Sequence, residues 1–166
     1  PDGFLLEVCK ICKSNKIYTV FDEIKVGLGR LGNGYLFCFE KDGAVPDVVT
    51  ISKALGGGKR AIGAMVTSNK LFKSAYGSRD DCALHSSTFS GIGESCAVAI
   101  ATLNFISDKN FLKSVDDKAI FLKNELVKLQ KKYPKYIKSI KGEGLFLGIE
   151  FDFGWASKVA KISKSK

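Results

Sequence analysis

The run Asp47-Val48-Val49-Thr50-Ile51-Ser52-Lys53-Ala54-Leu55-Gly56-Gly57-Gly58 constrains this chain more than any other stretch. Its β-branched first half reads as a buried strand, and the three glycines let the following backbone pass close to another group. One lysine stands between them. An unpaired ammonium is costly to bury. A strand that ends on Lys53 therefore either releases it to solvent or presents it as an amine of lowered pKa, the nucleophile that forms Schiff bases with carbonyls. The stretch alone leaves both readings open.

Composition narrows the classes. The 166 residues can bury one core or carry pieces of two domains, and 45% of them are hydrophobic. No run of about 18 apolar residues is present, so no membrane partner is expected. The net charge of +9 comes from lysines dispersed along the chain. Without an aromatic-interleaved basic stripe or a helix-turn-helix pattern, no nucleic-acid partner is expected. Cysteines at 9, 12, 38, 82 and 96 make an odd set, which suggests reduced thiols and a cytoplasmic setting. Cys9 and Cys12 have half-site spacing, but no second pair follows and His85 is the only histidine. They read as small core residues of a helix, and no metal is expected.

In order, Leu5, Val8, Ile11 and Cys12 recur at helical spacing, predicting a helix over Phe4 to Ser14. Ile17 to Phe21 reads as a buried parallel strand ending on Asp22-Glu23, two carboxylates that suit either a ligand at a strand's carboxyl end or an ordinary cap. Gly27 to Gly34 is glycine-rich but opens no helix, so it is not a dinucleotide fingerprint. Tyr35 to Glu40 reads as an aromatic turn. A third apolar run spans Ala61 to Val66, and Asn69 to Tyr76 is helical. His85-Ser86-Ser87-Thr88-Phe89-Ser90-Gly91 precedes a helix over Glu94 to Ile106, where hydroxyls serve either as a cap or as an anion site. Val115, Ala119, Leu122, Leu126 and Leu129 stripe a helix over Phe111 to Lys132. Tyr136 to Lys141 and Leu145 to Phe153 alternate as a hairpin joined by Gly142-Glu143-Gly144. The change from β-α alternation to a long helix plus hairpin places a domain change near 107–112, giving units 1–108 and 109–166. Ala156 to Lys166 reads as a basic helix.

Four of these segments, in this order, resemble the class III aminotransferases, pyridoxal-phosphate enzymes of fold type I that include the ornithine, acetylornithine and 4-aminobutyrate enzymes. Phe21-Asp22-Glu23-Ile24-Lys25-Val26-Gly27-Leu28-Gly29-Arg30-Leu31-Gly32 resembles the family's aspartate motif, and Pro46 to Gly58 its lysine motif. His85 to Gly91 is similar to its phosphate-contacting segment, and Lys141 to Glu150 to the start of its C-terminal domain. The resemblance runs from Pro1 to about Phe151. It implies an α/β fold: part of the large cofactor domain, a mostly parallel sheet with helices on both faces, plus the start of the smaller α+β C-terminal domain.

The resemblance also implies a chemistry. Pyridoxal 5′-phosphate would be the cofactor, with Lys53 as Schiff-base lysine and proton shuttle and Asp22 paired with the pyridine nitrogen. Ile24 would pack on the ring face and Lys25 would lie beside the phenolic oxygen. Ser87 and Thr88 would bind the phosphate of a neighbouring subunit, so at least a homodimer is implied. Its partners are an amino donor and a 2-oxo acid acceptor. Lys25 stands where the family usually has glutamine, which resembles the racemase branch, so a racemase, epimerase or aminomutase is the second expectation. A non-catalytic remnant of the fold is a third. Ala61 and Lys141 replace a usual proline and arginine. Pro1-Asp2-Gly3-Phe4 reads as the middle of a longer chain, and the family's N-terminal third and C-terminal arginine have no counterpart here. A fragment is expected, with an incomplete site.

Overall fold

Gly3, at φ +75°, turns the chain into α1 (Phe4–Ser14), whose apolar residues fall on one side. Its first turn is capped from a distance: the backbone N–H groups of Gly3 and Leu5 donate to the Asp42 carboxylate at 3.0 and 2.9 Å. Those N–H groups are among the four that a helix start leaves unpaired. In a computed structural model describing residues 2–165, the elements that follow are β1 (Val20–Asp22), α2 (Cys38–Lys41), β2 (Val48–Ile51), a 3-10 turn (Lys53–Gly56), β3 (Ala64–Thr67) and α3 (Asn69–Tyr76). After them come α4 (Gly93–Ile106), α5 (Lys109–Lys132), β4 (Ile137–Glu143), β5 (Phe146–Phe151) and α6 (Trp155–Lys164).

The fold is α/β, with two separate sheets. In the first, β1 and β2 run parallel, with Asp22 opposite Thr50, and β3 returns antiparallel to β2. The second is the β4–β5 hairpin. The core lies beneath the Lys53 turn, where Leu28, Ile51 and Leu55 pack with Ala99 and Ile106 of α4. Leu55 is 2% exposed and anchors the turn. Gly57, at φ +56°, lets the turn lie against α4: a Cβ there would stand 2.6 Å from Thr102 Oγ1.

Several expectations are corrected. The strand expected over Ile17 to Phe21 starts three residues later and is not buried, since Ile17, Tyr18 and Val20 are exposed. Residues 17–19 instead hold the strand entrance through Thr19, whose N–H and hydroxyl both donate to Asp47 Oδ2. β2 is half-buried, with only Ile51 fully covered. The aromatic turn expected over Tyr35 to Glu40 instead runs into α2. It forms because the Glu40 side chain accepts from the N–H groups of Leu36 and Phe37, while Glu23 accepts from those of Cys38 and Phe39. Finally, the hairpin turn is Gly144-Leu145, because β4 continues through Glu143 and Gly142 pairs with Leu147.

Candidate cofactor and substrate site

Lys53 and Asp22 stand at one sheet edge because parallel strands share a direction, though Asp22 lines neither of the cavities that Lys53 lines. Asp22 ends β1 and Lys53 follows β2 by two residues, so both stand at the same edge of the sheet, where ligands bind in open α/β folds. Lys53 has φ +50°, a left-handed conformation that costs a residue with a Cβ roughly 1–3 kcal/mol. The buried Leu55 and the bond from Leu55 N–H to Ser52 O hold it there. The Ser52 hydroxyl donates to Ile62 O at 2.8 Å and closes the base of the loop.

Asp22 Oδ1 accepts from Ile24 N–H at 2.9 Å, and among the described residues Oδ2 accepts no hydrogen bond. The neighbouring Glu23 faces inward. It is 3% exposed, and burial pushes its carboxyl above the ordinary 4.5, against the pull of the Cys38 and Phe39 N–H groups. The two adjacent acids are thus divided, Glu23 holding α2 and Asp22 facing out with a free oxygen.

Lys53 lines two open cavities. One, of about 310 Å³, is shared with Ile24, Lys25, Arg30 and Phe146. The other, of about 770 Å³, is shared with His85, Ser86, Ser87 and Ser90. Three expected site residues, Ile24, Lys25 and Lys53, are therefore brought together, and Ser87 reaches Lys53 by the second cavity. Ser87 Oγ accepts from Phe89 N–H, and Ser90 Oγ from Ser87 N–H, which bends this segment into a tight turn. Thr88 is exposed on that turn and lines neither cavity. Lys53 is likewise exposed, because the described residues wall it only on these sides.

Arg30, Leu145 and Phe146 were not anticipated as wall residues. The signal for Arg30 was available, a single cation among glycines. That for Phe146 was not, because nothing local says which way a hairpin 93 residues beyond Lys53 will dock. Among the described residues no group of three or more His, Cys, Asp or Glu could hold a metal ion, and no helix is long and apolar enough to cross a membrane.

The Aminotransferase class-III family profile matches residues 1–164. The acetylornithine aminotransferase of Caldanaerobacter subterraneus subsp. tengcongensis is 40% identical over 156 residues, which are 94% of this chain and 37% of that protein. The N-acetylornithine aminotransferase of Stenotrophomonas maltophilia superposes with TM-score 0.78 at 28% identity, over 98% of this chain and 39% of that one. An ornithine aminotransferase of Toxoplasma gondii, whose active site is partly occupied by pyridoxal phosphate, superposes with TM-score 0.73 at 28% identity, over 91% and 34%. The chain spans just over a third of the length of these relatives.

Proposed function

This chain belongs to the class III aminotransferase family, and from that premise we propose that the protein carrying it moves an amino group between an amine or amino acid and a 2-oxo acid, using pyridoxal phosphate held by Lys53. The observation that carries the reading is the placement of Lys53 and Asp22 at the carboxyl ends of two adjacent parallel strands. The donor set fits the cofactor: an exposed amine, a carboxylate oxygen without a partner, and hydroxyls in a cavity that the amine also lines.

Pyridoxal phosphate, when bound, supplies an aldehyde that condenses with amines and a ring that accepts the electron pair left when a Cα proton departs. Lys53 Nζ is the amine this chain offers, and when free it carries that proton. Asp22 Oδ2 would hold the ring nitrogen in its protonated form, since a carboxylate beside a basic nitrogen favours its charged form. Ile24 would cover one ring face, Lys25 would stand beside the phenolic oxygen, and the hydroxyls of Ser87 and Thr88 would donate to the phosphate. The family resemblance implies that these hydroxyls serve the phosphate of a neighbouring subunit, and with that a homodimer or higher homo-oligomer. Five free cysteines support a reducing, cytoplasmic setting. The two sheets, on either side of the break at Ser107–Asp108, support units 1–108 and 109–166.

One observation favours a second reading. Lys25 brings another amine into the cavity of Lys53, as a racemase or aminomutase needs when a proton is returned to Cα without loss of nitrogen. Incubation with one enantiomer and no 2-oxo acid separates the two, because only the second reading converts the substrate under these conditions, to the mirror form by a racemase or to a positional isomer by an aminomutase.

The primary test is the visible absorbance of the whole protein with cofactor. A band that borohydride removes and that Lys53→Ala lacks is the expected result. Well-folded, cofactor-supplemented protein without such a band refutes the proposal.

A further inference from the structure

The β4–β5 turn reaches 110 residues back in sequence and is fastened there at three levels. Glu143 Oε1 accepts from Lys41 Nζ at 2.8 Å and from Asn33 Nδ2 at 2.7 Å. Asn33 N–H donates to Asp116 Oδ1 of α5 at 2.6 Å. Beside Glu143, the N–H of Leu145 donates to Arg30 O at 2.9 Å. Between them Gly144, at φ +59°, lies so close to the Leu31 backbone that a Cβ would overlap it. Two residues beyond Gly144, Phe146 becomes a wall of the cavity that Lys53, Ile24 and Lys25 share. It is half-exposed and faces that opening rather than the core.

A wall placed this way does two things. Its ring sets how much room remains beside the reacting amine. Its position depends on a docking contact that includes one charged, solvent-exposed pair backed by the close approach of Gly144 to Leu31. We propose that Phe146 is a specificity-determining residue that limits the length of the substrate side chain, and that Glu143 is a positioning residue that holds Phe146 in place through Lys41 and Asn33. The proposal rests on the aminotransferase reading above.

The experiment uses the whole holoenzyme, unbranched aliphatic 2-amino acids of increasing length and one common 2-oxo acid. Binding is followed by perturbation of the visible cofactor band and turnover by kcat/KM. In Phe146→Ala the long-to-short ratio of kcat/KM rises roughly tenfold or more, carried by KM, as expected when a pocket gains room for a methylene or two. Phe146→Leu gives a smaller rise and serves if the alanine variant does not fold. Glu143→Ala shifts the ratio the same way, and the exchanged pair Lys41→Glu with Glu143→Lys brings it back. A purely structural loss lowers every substrate alike and leaves the ratio unmoved.

A second readout needs no activity. In cofactor-free protein the amide of Leu145 exchanges faster in Glu143→Ala and recovers in the exchanged pair. An intact band with an unchanged substrate ratio in both Phe146 variants overturns this proposal and leaves the aminotransferase reading standing. A shifted ratio in Phe146→Ala without one in Glu143→Ala overturns the positioning role. Absence of the band from the wild-type holoenzyme removes the aminotransferase reading, and this proposal falls with it.

Discussion

Two glycines with the same backbone sign do different work. Gly58, at φ +71°, has nothing within 4 Å of the position a Cβ would take, whereas Gly144, at φ +59°, abuts the Leu31 backbone. Gly58→Ala is therefore expected to cost only the roughly 1–2 kcal/mol of a left-handed conformation. Gly144→Ala is expected to cost more and to detach the hairpin turn, so that urea unfolding separates the two variants by more than experimental scatter. Equal losses would show that the contact with Leu31 carries no weight. Leu55 supports the Lys53 turn from below and is nearly fully covered. Leu55→Ala should cost about 2–5 kcal/mol and should loosen the left-handed conformation at Lys53, seen as weaker cofactor retention at a temperature where the fold persists. The places of Lys53 and Asp22 at adjacent strand ends were readable from residue order, and the family resemblance supplied the roles expected of them. The division of labour between Asp22 and Glu23 was not, because adjacent strand residues point to opposite faces and only the docked α2 decides which face is buried.

Helix starts in this chain are satisfied in contrasting ways. α5 begins with its own cap: Asp108 Oδ1 accepts from the N–H groups of Asn110 and Phe111 at 2.9 and 3.0 Å. Asp108→Ala should lower stability by about 1 kcal/mol, read from chemical denaturation, with no change in the cavity that Lys53 lines. α1 instead borrows Asp42 from 37 residues away, a cap that no local pattern announces. Helix periodicity found α1, α3, α4 and α5 within a residue or two, since 3.6-residue patterning survives wherever a helix lies on something. Short elements fared worse. β1 is three residues long and mostly exposed, so burial left no alternation to read. α2 is four residues long and exists because Glu23 and Glu40 supply acceptors for its unpaired N–H groups.

Across the molecule the acids respond to pH in two senses. The bond from Lys41 holds the Glu143 carboxyl below its ordinary 4.5, while the N–H of Leu5 does the same for Asp42 and that of Thr19 for Asp47, both below 3.8. A carboxyl whose folded pKa is lowered contributes stability that is present above its ordinary value and is lost as pH falls through the lowered one. Glu23 has the opposite sign. Its raised pKa means that burying the charge costs stability at neutral pH, a cost relieved as pH falls through the raised value. Lowered groups outnumber the raised one, so the thermal midpoint should fall on acidification below the ordinary carboxylate range, and Asp42→Asn should flatten that fall. A midpoint that rises on acidification would refute this balance. By itself the sequence determined the longer helices, the hairpin and the places of the lysine and the aspartate, because those follow from residue type and from spacing along one strand, helix or loop, and its four motifs resembled the family to which the chain belongs. Only the tertiary structure decided that Phe146 and Lys53 line one cavity, that Glu143 is fastened to Lys41, and that Lys53 is exposed. Those depend on how segments about a hundred residues apart pack together, and packing is a property of shape in space that no local pattern of residues encodes.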